Sequence, residues 1–127
     1  MYISIDGNST GKFIEKLIFD NELSLLSEFS NKLLSVVNQL TGYITQMGGK
    51  VIMSGGDNVL AELPDSVINT VLQHMKSVSI DDYKFSMAIS NTAQGAYIGL
   101  KYAKATGRLL VRADVDLNGT FQFSFIQ

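Results

Sequence analysis

The chain has 127 residues, 46% hydrophobic and 17% charged, with a single proline, a composition that predicts one globular domain over 1–127 and excludes a disordered chain. Its net charge of −2 excludes a global basic field for a nucleic-acid duplex, so any basic site must be local. Without cysteine there are no disulfides or thiolate metal sites, and no apolar run approaches the roughly 18 residues that direct membrane insertion requires. Met1 leads straight into Tyr2-Ile3-Ser4-Ile5 with no charged leader or apolar signal core, and the expected location is the cytoplasm.

Short strands alternate with helices along the chain. Tyr2, Ile3 and Ile5 form a β-prone run ending at Asp6, followed by a Gly-Asn-Ser-Thr-Gly loop. A short helix over Lys12–Phe19 breaks at Asp20-Asn21. From near Glu22 a longer helix carries Leu26, Phe29, Leu33, Val37, Leu40, Ile44 and Met47 at gaps of three and four, an apolar stripe for a core. Gly48-Gly49 stops it, since glycine enters the left-handed conformation most easily.

Residues 50–54 and 58–63 read as paired strands around Ser54-Gly55-Gly56-Asp57-Asn58. Pro64-Asp65-Ser66 opens a helix through about Lys76, with Val67, Ile68, Val71, Leu72 and Met75 inward. Asp81-Asp82 reads as a solvated turn before a strand over 83–90, and a helix then runs to Gly107. The tail places Asn118-Gly119 between alternating apolar segments, a strong hairpin signal. Crossover helices permit parallel strands and tight turns demand antiparallel ones, so the fold class is α+β, a mixed sheet with helices packed on it.

Three loops carry candidate chemistry. Asp6 ends the first strand and Asp57 tips a hairpin, so neighbouring strands would join two carboxylates from 51 positions apart. Such a pair repels unless a cation lies between, and hard oxygen donors select Mg²⁺ or Mn²⁺. Gly55 and Gly56 remove side chains where a nucleotide would approach. The loop Gly7-Asn8-Ser9-Thr10-Gly11 offers backbone N–H groups to phosphate at a helix start. It is not a Walker A loop, which needs four residues between its glycines and a Ser/Thr where Phe13 stands. Lys101, Lys104 and Arg108, spaced three and four apart, predict one basic face at the end of the late helix, with Arg112 close behind. Such a stripe suits a triphosphate.

Bland readings apply elsewhere. Lys101 taken alone is a surface lysine, His74 is structural or exposed, and the methionines are core filler. Asp114 and Asp116 read as solvent-facing.

The Ser-Gly-Gly-Asp-Asn turn after a strand, the first-strand Asp6 and the late Tyr102-Ala103-Lys104…Gly107-Arg108 together resemble the palm of GGDEF-type nucleotide cyclases and the polymerase palm of the large CRISPR type III subunit. The chain is most similar to the stand-alone minimal CRISPR polymerase (mCpol) family, a resemblance that covers nearly its whole length. It implies a ferredoxin-like palm and a nucleotidyltransferase that condenses NTPs into a cyclic di- or oligonucleotide second messenger, cyclic di-AMP-like, in anti-phage defence. By that resemblance Asp6 and Asp57 are catalytic metal ligands, with the Gly7 carbonyl a third, for two Mg²⁺ or Mn²⁺ ions. Gly7, Asn8, Ser9, Thr10 and Gly11 wrap the triphosphate, Lys104 and Arg108 grip it, and Gly55, Gly56 and Asn58 lie along the nucleotide.

The sequence departs from the family pattern at three positions. Asn58 and Val59 replace the acidic and aromatic residues of the cyclase motif, and Asn8 stands where relatives often carry a second Asp. No counterparts of guanine-reading residues follow Asp6, which favours ATP as substrate. One palm per chain implies a homodimer for making a cyclic dinucleotide, with a downstream effector reading the product. Two other readings stand beside this one: a degenerate palm that senses nucleotide, and a GTP cyclohydrolase-type hydrolase, which needs more acidic ligands.

Overall fold

The computed structural model describes residues 1–80 and 83–125; the expected turn at Asp81-Asp82 lies outside them. In chain order it contains β1 (Tyr2–Gly7), α1 (Thr10–Phe19), α2 (Leu23–Gln46), β2 (Lys50–Gly55), β3 (Asn58–Glu62), α3 (Ile68–Lys76), β4 (Ser79–Ile80), β5 (Tyr83–Ser90), α4 (Ala93–Thr106), β6 (Leu110–Val115) and β7 (Phe121–Phe125). The sheet runs β2-β3-β1-β5-β6-β7, with β4 paired to β5 off that path. All pairings are antiparallel except β5–β6, which α4 connects as a parallel crossover. The first four strands of that order, with α2 and α3 between them, make the split βαβ of a ferredoxin-like core.

Strand alternation gives the sheet two unlike faces. Ile3 and Ile5 of β1 are buried beside Val59, Ala61, Met87 and Ile89, under the stripe Phe29, Leu33, Val37, Leu40 and Ile44 of α2. The opposite face carries Ser4, which pairs with Ala88, and Asp6, which pairs with Ser86. There α4 lies over β5, β6 and β1. Only small residues allow this close approach: a Cβ on Gly99 would sit 2.9 Å from those of Ala88 and Ala113, and one on Gly95 would sit 2.6 Å from the Ala113 carbonyl.

The helix ends follow the expected chemistry. Asn21, at φ 54°, makes the left-handed break between α1 and α2. Gly48, at φ 85°, reverses the chain after α2 while the Gly49 N–H donates to the Ile44 carbonyl at 2.9 Å, a Schellman closure. Thr92 caps α4 by accepting from the Gly95 N–H at 2.9 Å.

Four expectations need correction. A 3₁₀ turn over Asp65–Val67 precedes α3, because Pro64 keeps an extended backbone (ψ 139°) and cannot start the helix itself. The terminal hairpin turns over a longer loop than Asn118-Gly119 alone: Asp116 Oδ1 captures the N–H groups of Asn118 and Thr120 at 2.9 Å each, with Gly119 at φ 78°. Asp114 is only partly solvent-facing: its side chain is about a third exposed and ion-paired to Arg112 at 2.6 Å, and it also accepts from the Asn91 N–H. Met53 is half exposed on edge strand β2, whereas Met75 and Met87 are core filler. His74 is exposed and stacks on Tyr43 with ring centroids 4.0 Å apart.

Candidate active site

Strand register brings the two carboxylates together. Ile5 pairs with Val59, so the next step along the same edge sets Gly7 opposite Asp57. There the carboxylate takes over the ladder, and the Gly7 N–H donates to Asp57 Oδ2 at 3.0 Å. The hydroxyl of Thr10, first residue of α1, donates to the same oxygen. Asp57 can reach back this way because it is the second residue of a two-residue turn whose first, Gly56, takes φ 60°, the pattern of a II′ hairpin. Asp6 points to the other face of β1, and Lys104 from the last turn of α4 comes down to it, Nζ to Oδ2 2.5 Å.

The loop expected to face phosphate runs from β1 into α1. After β1, Asn8 donates its N–H to the Lys84 carbonyl at 2.9 Å, and Ser9 turns left-handed at φ 57°. The first helical bond of α1 is Phe13 N–H to the Ser9 carbonyl, 3.0 Å, so the N–H groups of the preceding turn face out of the helix end. That end carries the positive pole of the helix dipole, and no acidic residue occupies its first turn. An edge-on Phe13–Phe29 contact, 4.6 Å between centroids, fixes α1 against α2.

Asp6 and Asp57 lie in unlike surroundings. Burial, and then the neighbouring Asp57, push the Asp6 carboxyl above its ordinary value, against the opposing hydrogen bond from Lys104. Burial also acts upward on Asp57. There it is outweighed by hydrogen bonds from Thr10, then Asp6, then the backbone N–H groups of Asp57 and Gly7, which hold Asp57 below the ordinary value. The two carboxyls are thus pushed in opposite directions by their surroundings, Asp6 upward and Asp57 downward.

A cavity of about 390 Å³ unites Asp6, Gly7, Ser9, Thr10 and Gly11 with Asp57 and Lys104. It also takes in Lys12, which the sequence reading passed over although it directly follows the glycine of the loop. The remaining expected residues, Asn8, Gly55, Gly56, Asn58 and Arg108, do not line it. Asn8 is turned toward β5, where its side-chain oxygen accepts from the hydroxyl of Ser86, a fully buried residue beside Asp6 that the reading also missed. Arg108 follows Gly107, which at φ 71° ends α4, so it lies just beyond the helix, as the sequence places it. Lys101 stays on the helix and covers the Tyr97 ring at 5.1 Å, and Arg112 is committed to Asp114. Gly55 and Gly56 precede Asp57 in the hairpin turn, and an added methyl group at either would meet nothing within 4 Å.

The donor set suits a hard divalent cation in kind, since two neighbouring carboxylates repel unless positive charge lies between them. In number it is sparse. Among the described residues, no cluster of three or more acidic or histidine side chains exists, so a second ion would draw its ligands from backbone, water and phosphate.

The fold is a palm of the type found in nucleotide cyclases and polymerases. The fold is similar to that of a bacterial light-regulated adenylyl cyclase, with a TM-score of 0.61 at 15% identity over 88% of this chain and 73% of that one. Residues 2–113 match the model of mCpol, the minimal CRISPR polymerase domain, and the chain belongs to that family. No curated protein matches it. No helix among the described residues is long and apolar enough to cross a membrane.

Proposed function

We propose that the chain condenses nucleoside triphosphates, ATP foremost, into a cyclic di- or oligonucleotide messenger that a downstream effector reads in anti-phage defence. The observation that supports this is the convergence of Asp6, Asp57, Lys104 and the N-terminus of α1 on one cavity. In the reaction, a ribose hydroxyl oxygen of one nucleotide bonds to the α-phosphorus of another. The bond from that phosphorus to its bridging oxygen breaks, pyrophosphate leaves, and the hydroxyl proton passes to solvent.

Asp6 and Asp57, with the Gly7 carbonyl, supply the oxygens for Mg²⁺ or Mn²⁺. A bound cation there neutralises phosphate charge and lowers the pKa of the attacking hydroxyl. The chain's own residues bind and orient. The first N–H groups of α1 and Lys12 hold the triphosphate tail, Lys104 adds a point charge, and Gly55 leaves the hairpin side open for the sugar. Closing a ring of two nucleotides takes two such bonds, and two copies of the palm face to face provide them.

The test is incubation with each of the four NTPs, singly and mixed, with Mg²⁺ or Mn²⁺, followed by mass spectrometry. Asp57→Ala serves as the control. A cyclic product containing adenine that is absent from the control is expected. Unchanged NTPs together with metal-dependent nucleotide binding would overturn the enzyme reading and favour a nucleotide sensor, for which the sparse carboxylate set speaks.

A further inference from the structure

Lys104 occupies a position that phosphate binding alone does not explain. Its backbone is fixed: Gly95 and Gly99 seat α4 on the sheet, and Ala103 beside it is fully buried. The side chain is about a third exposed, on four carbons that carry a compact ammonium. That ammonium rests 2.5 Å from Asp6 Oδ2, against the carboxylate pair itself. Asp57 meanwhile is held in place by the Gly7 N–H and the Thr10 hydroxyl.

We propose that Lys104 is a tethered counter-ion for Asp6, which a divalent cation must displace and which an incoming triphosphate then re-houses. The inference rests on the functional reading above and deepens it. With no nucleotide present, Lys104 leaving Asp6 loses an ion pair and gains only water, so cation binding is weakened. When a triphosphate lies along α1, the displaced ammonium finds new oxygens within the same cavity. Cation and nucleotide are thus coupled through one side chain, beyond the contacts they make with each other. The site stays closed to free cation and opens to cation with substrate.

The experiment measures Mn²⁺ affinity of the full chain without nucleotide, by the electron paramagnetic resonance signal of free Mn²⁺. Lys104→Met is expected to bind Mn²⁺ about tenfold more tightly than wild type, the scale of one partly screened charge. Lys104→Arg, which keeps the charge, is expected to stay at or below wild-type affinity. Adding a non-hydrolysable ATP analogue is expected to raise Mn²⁺ affinity less in Lys104→Met than in wild type. Should thermal melting show Lys104→Met unfolded, Lys104→Gln replaces it and is read the same way. Equal or weaker Mn²⁺ binding in the neutral variant, with Asp6→Asn abolishing it, would overturn the counter-ion role and leave the metal site standing. Mn²⁺ binding absent from wild type and variant alike would overturn the functional reading, and this inference with it.

Discussion

Asp57 has a structural duty besides the catalytic one proposed for it, and substitution can separate the two. As acceptor for the Gly7 N–H and the Thr10 hydroxyl, it closes the gap between hairpin and loop. Asp57→Ala leaves the buried Gly7 donor without that acceptor and should cost about 1–3 kcal/mol of stability, whereas Asp57→Asn keeps an oxygen and should melt near wild type. Thermal unfolding checks both, and neither variant should turn over substrate.

Asp6 behaves in the opposite way. Because its folded pKa is raised above the ordinary 3.8, the folded state holds the proton more tightly than the unfolded one. Its stabilising contribution is present below that value and is lost as pH rises through the raised one. In metal-free protein Asp6→Asn should flatten this fall. A stability–pH profile as steep as wild type would count against the assignment. Both acids were legible in the sequence, one at a strand end and one in a turn. Thr10 was legible only as a loop member and Ser86 not at all, since a hydroxyl that orients another side chain leaves no periodic trace.

At the scale of elements, the hairpin separates its two glycines. Gly56 serves the turn: at φ 60° an alanine is strained, and Gly56→Ala should cost about 1–2 kcal/mol. Gly55 has no positive φ and no neighbour within 4 Å for an added methyl, so Gly55→Ala should melt as wild type does. If the nucleotide passes there, the same variant should weaken ATP binding in calorimetry. Stable protein with unchanged binding would move the ligand away from the hairpin. The elements themselves were largely readable because their apolar periods are clean, as in the α2 stripe. Reading failed where one residue redirects the chain: Pro64 delays the start of α3, and Asp116 enlarges the last turn. These are capping and turn effects of single side chains, which periodicity does not register.

For the whole molecule, the sequence suggested strands and helices but not that α4 would cross to the face opposite α1 and α2. The signal lay in the small residues: Ser86, Ala88 and Ser90 on one side of β5, matched by Gly95 and Gly99 of α4. Their fit holds Lys104 over Asp6. Gly95→Ala puts a methyl against the Ala113 carbonyl and should lower stability by about 1–3 kcal/mol. By lifting α4 it should also loosen the Lys104–Asp6 pair and raise Mn²⁺ affinity in nucleotide-free protein. A lower melting temperature with unchanged Mn²⁺ binding would uncouple helix docking from the site.

The site is stitched from distant parts of the chain: Gly7 bonds Asp57 across 50 positions, and Lys104 reaches Asp6 across 98. On the ribosome those parts are not made together. At about 5–20 residues per second, the stretch from Asp57 to Lys104 takes roughly two to ten seconds to synthesise. Throughout that interval no lysine from α4 exists to face Asp6 and Asp57, and a chain released early never gains one.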